Sequence, residues 1–157
     1  MRETTCCFTG HRAIPVDELP KLKQLLKQEV SLLIERGFDT FCCGGALGFD
    51  TLAAQAVIAA KKEHKNIRLF MFLPHPGQEN GWKEQDKKIY SAILNKADYV
   101  SYASGAYVQQ CMFTRDRQLV DASSVCVSYL VHGGGGTFYT VSYARQCGLE
   151  IINLAKK

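Results

Sequence analysis

With 157 residues, a net charge of +4, 46% hydrophobic and 22% charged residues, the chain fits one domain with one core. That balance excludes a disordered or a fibrous protein. Lys and Arg are scattered apart from KKEHK at 61–65 and the terminal Lys156 and Lys157, so an anionic ligand is permitted while a nucleic-acid-binding face is not evident.

Short runs rich in Val, Ile, Phe, Tyr and Cys alternate with segments of helical period. In chain order the pattern predicts strands over 4–9, 38–43, 67–73, 99–102, 125–131 and 150–154. Between the first two, Leu22, Leu25, Leu26, Glu29, Val30 and Leu33 recur at helical spacing within 17–37, and Gly37 ends the helix. Further helices are predicted over 50–64, 81–95, 114–122 and 137–146. Strand and helix alternating this regularly, without a linker or repeat, predict a doubly wound α/β domain, 1–157, with a mostly parallel sheet flanked by helices.

The N-terminal MRETTCCFTGHR has no apolar leader core and no long apolar run follows it, so no membrane partner is expected. Seven cysteines occur without any Cys-x-x-Cys spacing, and adjacent cysteines in a strand point to opposite faces, which works against one shared metal. They read as small buried residues of a reducing cytoplasm.

In a parallel sheet every strand-to-helix turn leaves from one edge, and ligands bind there. Five turns are thereby collected: GHR at 10–12, GGALGFD at 44–50, PHPGQENG at 74–81, ASGAY at 103–107 and HGGGGT at 132–137. Two are glycine runs that open a helix, where backbone N–H groups and the helix dipole favour an anion. With Arg12 in a third turn, they point to a phosphate-bearing ligand. Neither run has the Gly-x-Gly-x-x-Gly order of dinucleotide enzymes, and no Gly-x-x-x-x-Gly-Lys-[Ser/Thr] occurs.

Asp50 has two readings, a helix cap or an acceptor for a ribose hydroxyl. Arg115 and Arg117 lie about 200° apart on a helix and cannot share a face. Taken alone they read as exposed arginines; in context, one meets the ligand while the other pairs with Asp116, Asp121 or another carboxylate. Trp82 and Tyr107 flank turns and read as packing residues or as base-stacking rings. Tyr139 and Tyr143, four apart, read as a packed face or as a homo-oligomer contact.

TGHR, GGALGFDTLAA, GQENGW, CMFTRDRQLVD and GGTFYTVSYA, in this order over nearly the whole chain, resemble the SLOG superfamily and specifically its YpsA-like branch. That superfamily is Rossmann-like and includes the DNA processing protein A domain, the lonely guy phosphoribohydrolases and sensors of nucleotide-derived signals. The resemblance implies a pocket for a nucleotide or ADP-ribose-like molecule. Its lining would be Gly44, Gly45, Gly48, Gly135, Gly136 and Thr137, and the turns at 10–12, 44–50 and 132–137 add Gly10, His11, Arg12, Ala46, Asp50 and Gly134. Arg115 and Arg117 fall on the Arg-Asn-Arg pattern of the DNA processing protein, with Asp116 in place of the asparagine. Against the hydrolase motif Pro-Gly-Gly-x-Gly-Thr-x-x-Glu, His132 stands at the proline and Thr140 at the glutamate, and threonine cannot replace that carboxylate. His11, His75 and His132 sit in separate turns and form no pairing by spacing.

The expectation is therefore a binding or sensing domain for a nucleotide-derived small molecule, with no catalytic residue, cofactor or metal. The alternatives are a nucleotide N-glycosidase and a single-stranded DNA-binding protein.

Overall fold

The computed structural model describes residues 1–157. Six parallel strands form one sheet: β1 (Thr5–Gly10), β2 (Thr40–Cys43), β3 (Arg68–Leu73), β4 (Tyr99–Tyr102), β5 (Val125–Tyr129) and β6 (Glu150–Asn153). Their order across the sheet is β4-β3-β2-β1-β5-β6. Helices α1 (Leu19–Glu35), α2 (Phe49–Lys61), α3 (Glu84–Lys96), α4 (Cys111–Asp121) and α5 (Gly135–Gln146) connect them. This is the predicted doubly wound α/β architecture.

The two faces carry separate cores. Cys6, Phe8, Phe41 and Cys43 pack with Leu22, Leu26, Ala53, Val57 and Ile93 from α1, α2 and α3. Cys7, Cys42 and Cys126 pack on the other side with Leu119 and Val120 of α4 and Ala144 of α5. Period-two alternation thus sends the members of each Cys-Cys pair to opposite faces, and β1, covered on both, is buried along nearly its whole length. Cys147 departs from the expectation of buried cysteines: it lies exposed beyond the end of α5.

In α1 the buried stripe is Leu22, Leu26, Glu29, Val30 and Leu33, and Glu29 reaches Lys157 Nζ at 3.7 Å. Gly37, at φ 98°, turns the chain out of that helix.

Most boundaries shift by one to three residues from the sequence reading, α2 for instance ending at Lys61 rather than 64, and three of the shifts bear on the site or its surroundings. β5 stops at Tyr129 because its neighbour β6 has ended. The Asn153 side chain takes the place of strand there, donating to the Leu130 carbonyl at 2.9 Å and accepting the Leu130 N–H at 3.1 Å. α3 begins three residues later than 81, after turns at Gly77 and Gly81, and Trp82 lies outside it, edge-on to Tyr90 at 5.2 Å. α4 begins three residues earlier than 114, behind Gln110 in the left-handed conformation at φ 76°.

Candidate functional site

The sheet order reverses at β1, which has β2 on one side and β5 on the other. The turns leaving β1 and β5 therefore diverge to opposite faces and leave a crevice at their C-terminal ends. A cleft of about 340 Å³ occupies this position. Of the predicted residues, Gly10, His11, Arg12, Ala46, Asp50, Arg115, Gly134, Gly135, Gly136 and Thr137 line it.

The β1 turn is held by His11. Its N–H donates to the Tyr129 carbonyl at 3.3 Å, and its own carbonyl accepts the Phe49 N–H at 3.1 Å. Its ring Nε2 accepts the Val131 N–H at 3.0 Å, which requires Nδ1 to carry the proton of the neutral ring. Burial, and then the neighbouring His132, push the His11 pKa down. The His11 and His132 rings stack at 4.0 Å with 10° between planes, while His75 stands edge-on to Tyr107 elsewhere. Arg12 is exposed at the rim and takes part in no ion pair.

The 44–50 turn behaves differently from the open phosphate cradle expected of it, because its glycines are filled by protein. A Cβ on Gly44 would meet Arg115 Nη1 at 2.8 Å, one on Gly45 would strike Leu73, and one on Gly48 would strike the Arg12 carbonyl. These glycines allow close packing, and only Ala46 and Asp50 of the segment reach the cleft.

Asp50 does not cap α2. The N-cap position is Gly48, and the Asp50 carboxylate instead turns back to accept the Ala46 N–H at 3.1 Å. It is buried, and burial pushes its pKa up to about 6 against the opposing pull of Arg115.

Arg115 is only 6% exposed, so the reading of it as a surface arginine is corrected. Its Nε donates to Asp116 Oδ1 at 2.7 Å and its Nη1 donates to the Gly44 carbonyl, which ties α4 to the 44–50 turn. Burial raises the Asp116 pKa, while Arg115 and then the Thr140 hydroxyl counter it. Arg117 points the other way: it is exposed, donates to Tyr139 Oη at 2.8 Å, and lies over the Tyr143 ring at 5.0 Å. It is outside the cleft, as the 200° separation required.

α4 adds residues that the sequence reading left out of the site: Met112 and Phe113, brought in by its early start, and Asp116 and Leu119 from within the predicted span all line the cleft. With Arg115, the residues Met112, Asp116 and Leu119 fall at i, i+3, i+4 and i+7, a helical stripe that was available as a signal.

The tetraglycine turn forms the opposite wall. Gly134 and Gly135 have φ of 83° and 82°, which favours glycine at both. Gly136 has no such angle, and a Cβ built on it meets nothing within 4 Å. The N–H groups of Gly135, Gly136 and Thr137 open α5 and have no carbonyl a turn earlier to accept them.

The sequence profile of the YspA SLOG family matches residues 6–143. A UPF0398 protein of Bacillus thuringiensis is 33% identical over 135 residues, covering 84% of this chain and 73% of that protein. A UPF0398 protein of Halalkalibacterium halodurans is 38% identical over 79 residues, covering 50% of this chain and 42% of that protein. Among solved structures, DNA processing protein A from Streptococcus pneumoniae superimposes with a TM-score of 0.67 at 14% identity, over 95% of this chain and 49% of that one. DNA processing protein A from Helicobacter pylori, described for its single-stranded DNA binding mode, gives 0.66 at 13% identity, over 96% and 64%. These two likenesses are of fold, and this chain spans about half to two thirds of their length. The extent of the profile match and of the Bacillus thuringiensis alignment places the chain in the YspA SLOG family.

Proposed function

We propose that the cleft binds a nucleotide-derived small molecule, a nucleotide or an ADP-ribose-like compound, with its phosphate on the tetraglycine turn. The observation that carries this reading is Gly136. Neither backbone angle nor packing calls for glycine there, so the missing side chain leaves room for something outside the fold. Arg12, exposed and unpaired at the rim, supplies the mobile positive charge, and the opening N–H groups of α5 supply fixed donors. Asp50 and Asp116 would repel a phosphate but accept from sugar hydroxyls, which orients the ligand with its phosphate toward α5.

The reading gives the site no catalytic residue. Thr140, at the position of the hydrolase glutamate, is buried and donates its hydroxyl to the Gly136 carbonyl at 2.8 Å. An N-glycosidase would have to act through Asp50 or Asp116, the two carboxyl groups in the cleft, and would release free base from nucleoside monophosphates.

Thermal unfolding with AMP, ADP and ADP-ribose tests the proposal. A ligand at a hundredfold its Kd stabilises by about 2.7 kcal/mol, or several degrees in Tm. The variant Gly136→Ala is expected to be more stable unliganded by up to about 1 kcal/mol, since alanine suits a helix better, and to lose the ligand-induced shift. A Gly136→Ala protein that binds as well as wild type would remove the basis for the proposal.

A further inference from the structure

Beside the cleft, α4 and α5 border a second, open hollow of about 360 Å³, lined by Gln110, Phe113, Thr114, Arg117 and Tyr139. It lies within the size range of small-molecule sites, roughly 300–1,000 Å³. Phe113 belongs to both spaces and forms the partition between them.

The lining is unusual for a helix surface. Phe113 is 44% exposed although it is a large apolar ring, and it stands edge-on to Tyr139 with centroids 4.7 Å apart and 65° between planes. The two rings make an aromatic corner. Arg117 is fixed beside it by the 2.8 Å bond from Nε to Tyr139 Oη, and the Gln110 and Thr114 side chains supply polar groups at the margin. Flat apolar faces, an adjacent guanidinium plane and edge donors and acceptors match a heteroaromatic base, which needs stacking on its face and hydrogen bonds at its edge.

We infer that this hollow is a stacking subsite for a second base, so that the preferred ligand carries two bases joined through phosphate, one on each side of Phe113. The inference rests on the cleft holding a nucleotide, and it narrows the ligand from a mononucleotide to a compound of two nucleosides. Such chemistry occurs both in a free dinucleotide and in a single strand of nucleic acid.

Titration calorimetry of the full chain with AMP, the dinucleotide pApA and decadeoxyadenylate tests it. Wild type is expected to bind pApA about tenfold or more tightly than AMP. Tyr139→Ala should bring the two affinities together while leaving AMP binding unchanged, because Tyr139 does not line the first cleft. Tyr139→Phe, which keeps the ring and loses the Arg117 bond, should retain most of the preference. Should Tyr139→Ala unfold, the exposed Arg117→Gln is the replacement, expected to lower pApA affinity severalfold and leave AMP alone. Equal affinity of wild type for AMP and pApA overturns the subsite while the mononucleotide reading stands; no binding of either overturns both. Decadeoxyadenylate no tighter than pApA assigns the subsite to a free dinucleotide. A tighter decamer whose affinity falls steeply with salt assigns it to a strand.

Discussion

Burial raises the Asp50 carboxyl from its ordinary 3.8 to about 6, and the Arg115 guanidinium and the Ala46 N–H offset only part of that shift. A carboxyl held above its unfolded value stabilises the fold most fully at acid pH. That contribution is lost as the pH rises through about 6. His11 works in the opposite sense. Its pKa is pushed down by burial and then by His132, so the stability it contributes is present in the neutral range and is lost as the pH falls through its folded value. The Asp50 part is isolated by comparing wild type with Asp50→Asn in urea between pH 4 and pH 7. Wild type should gain on the variant toward acid by up to about 3 kcal/mol, the shift converted at 1.36 kcal/mol per unit. A constant difference across that range would show that the carboxyl is not desolvated as described.

At the scale of elements, the turn before α4 is where backbone geometry and sequence disagree most. Gln110 is the one residue other than glycine with positive φ. Replacing it with glycine should stabilise the protein by about 1 kcal/mol, read as a rise of roughly 2–4 °C in Tm, because glycine adopts this conformation without a Cβ clash. A loss of stability would mean that the Gln110 side chain makes up for its backbone. The same turn shows what could be read ahead of the structure. Helices α1 and α5 were legible from periodicity and from flanking glycines, and all six strands from their apolar runs. The start of α4 was not, since no Ser, Thr, Asp, Asn or Gly marks a cap at residue 110, and the helix there begins from a left-handed glutamine. Missing those first three residues also hid Met112 and Phe113 from the site. The 44–50 turn misled for a different reason: a glycine needed for close packing and one needed for a ligand look identical in a sequence. Only the atoms around Gly44, Gly45 and Gly48 separate the two cases.

For the molecule as a whole, two cores on either side of one sheet hold five of the seven cysteines, and Cys111 is buried at the start of α4, so six are out of reach of solvent. Burial pushes the thiols of Cys6, Cys42 and Cys43 well above their usual range, which suppresses the reactive thiolate further. A thiol reagent added to native protein should therefore modify one cysteine quickly, Cys147, and the other six only on unfolding. Rapid labelling of two or more would mean that one of the cores, or the start of α4 around Cys111, opens under native conditions. The order β4-β3-β2-β1-β5-β6 places the cleft without any reference to side chains, which is why the turns could be collected from sequence while the division of labour among them could not. His11 then bears on more than its own turn. Its backbone bonds the exit of β5 at Tyr129 and the start of α2 at Phe49, and its ring holds the Val131 N–H just beyond β5, so a guest that displaces the ring would release the segment that leads into the tetraglycine turn.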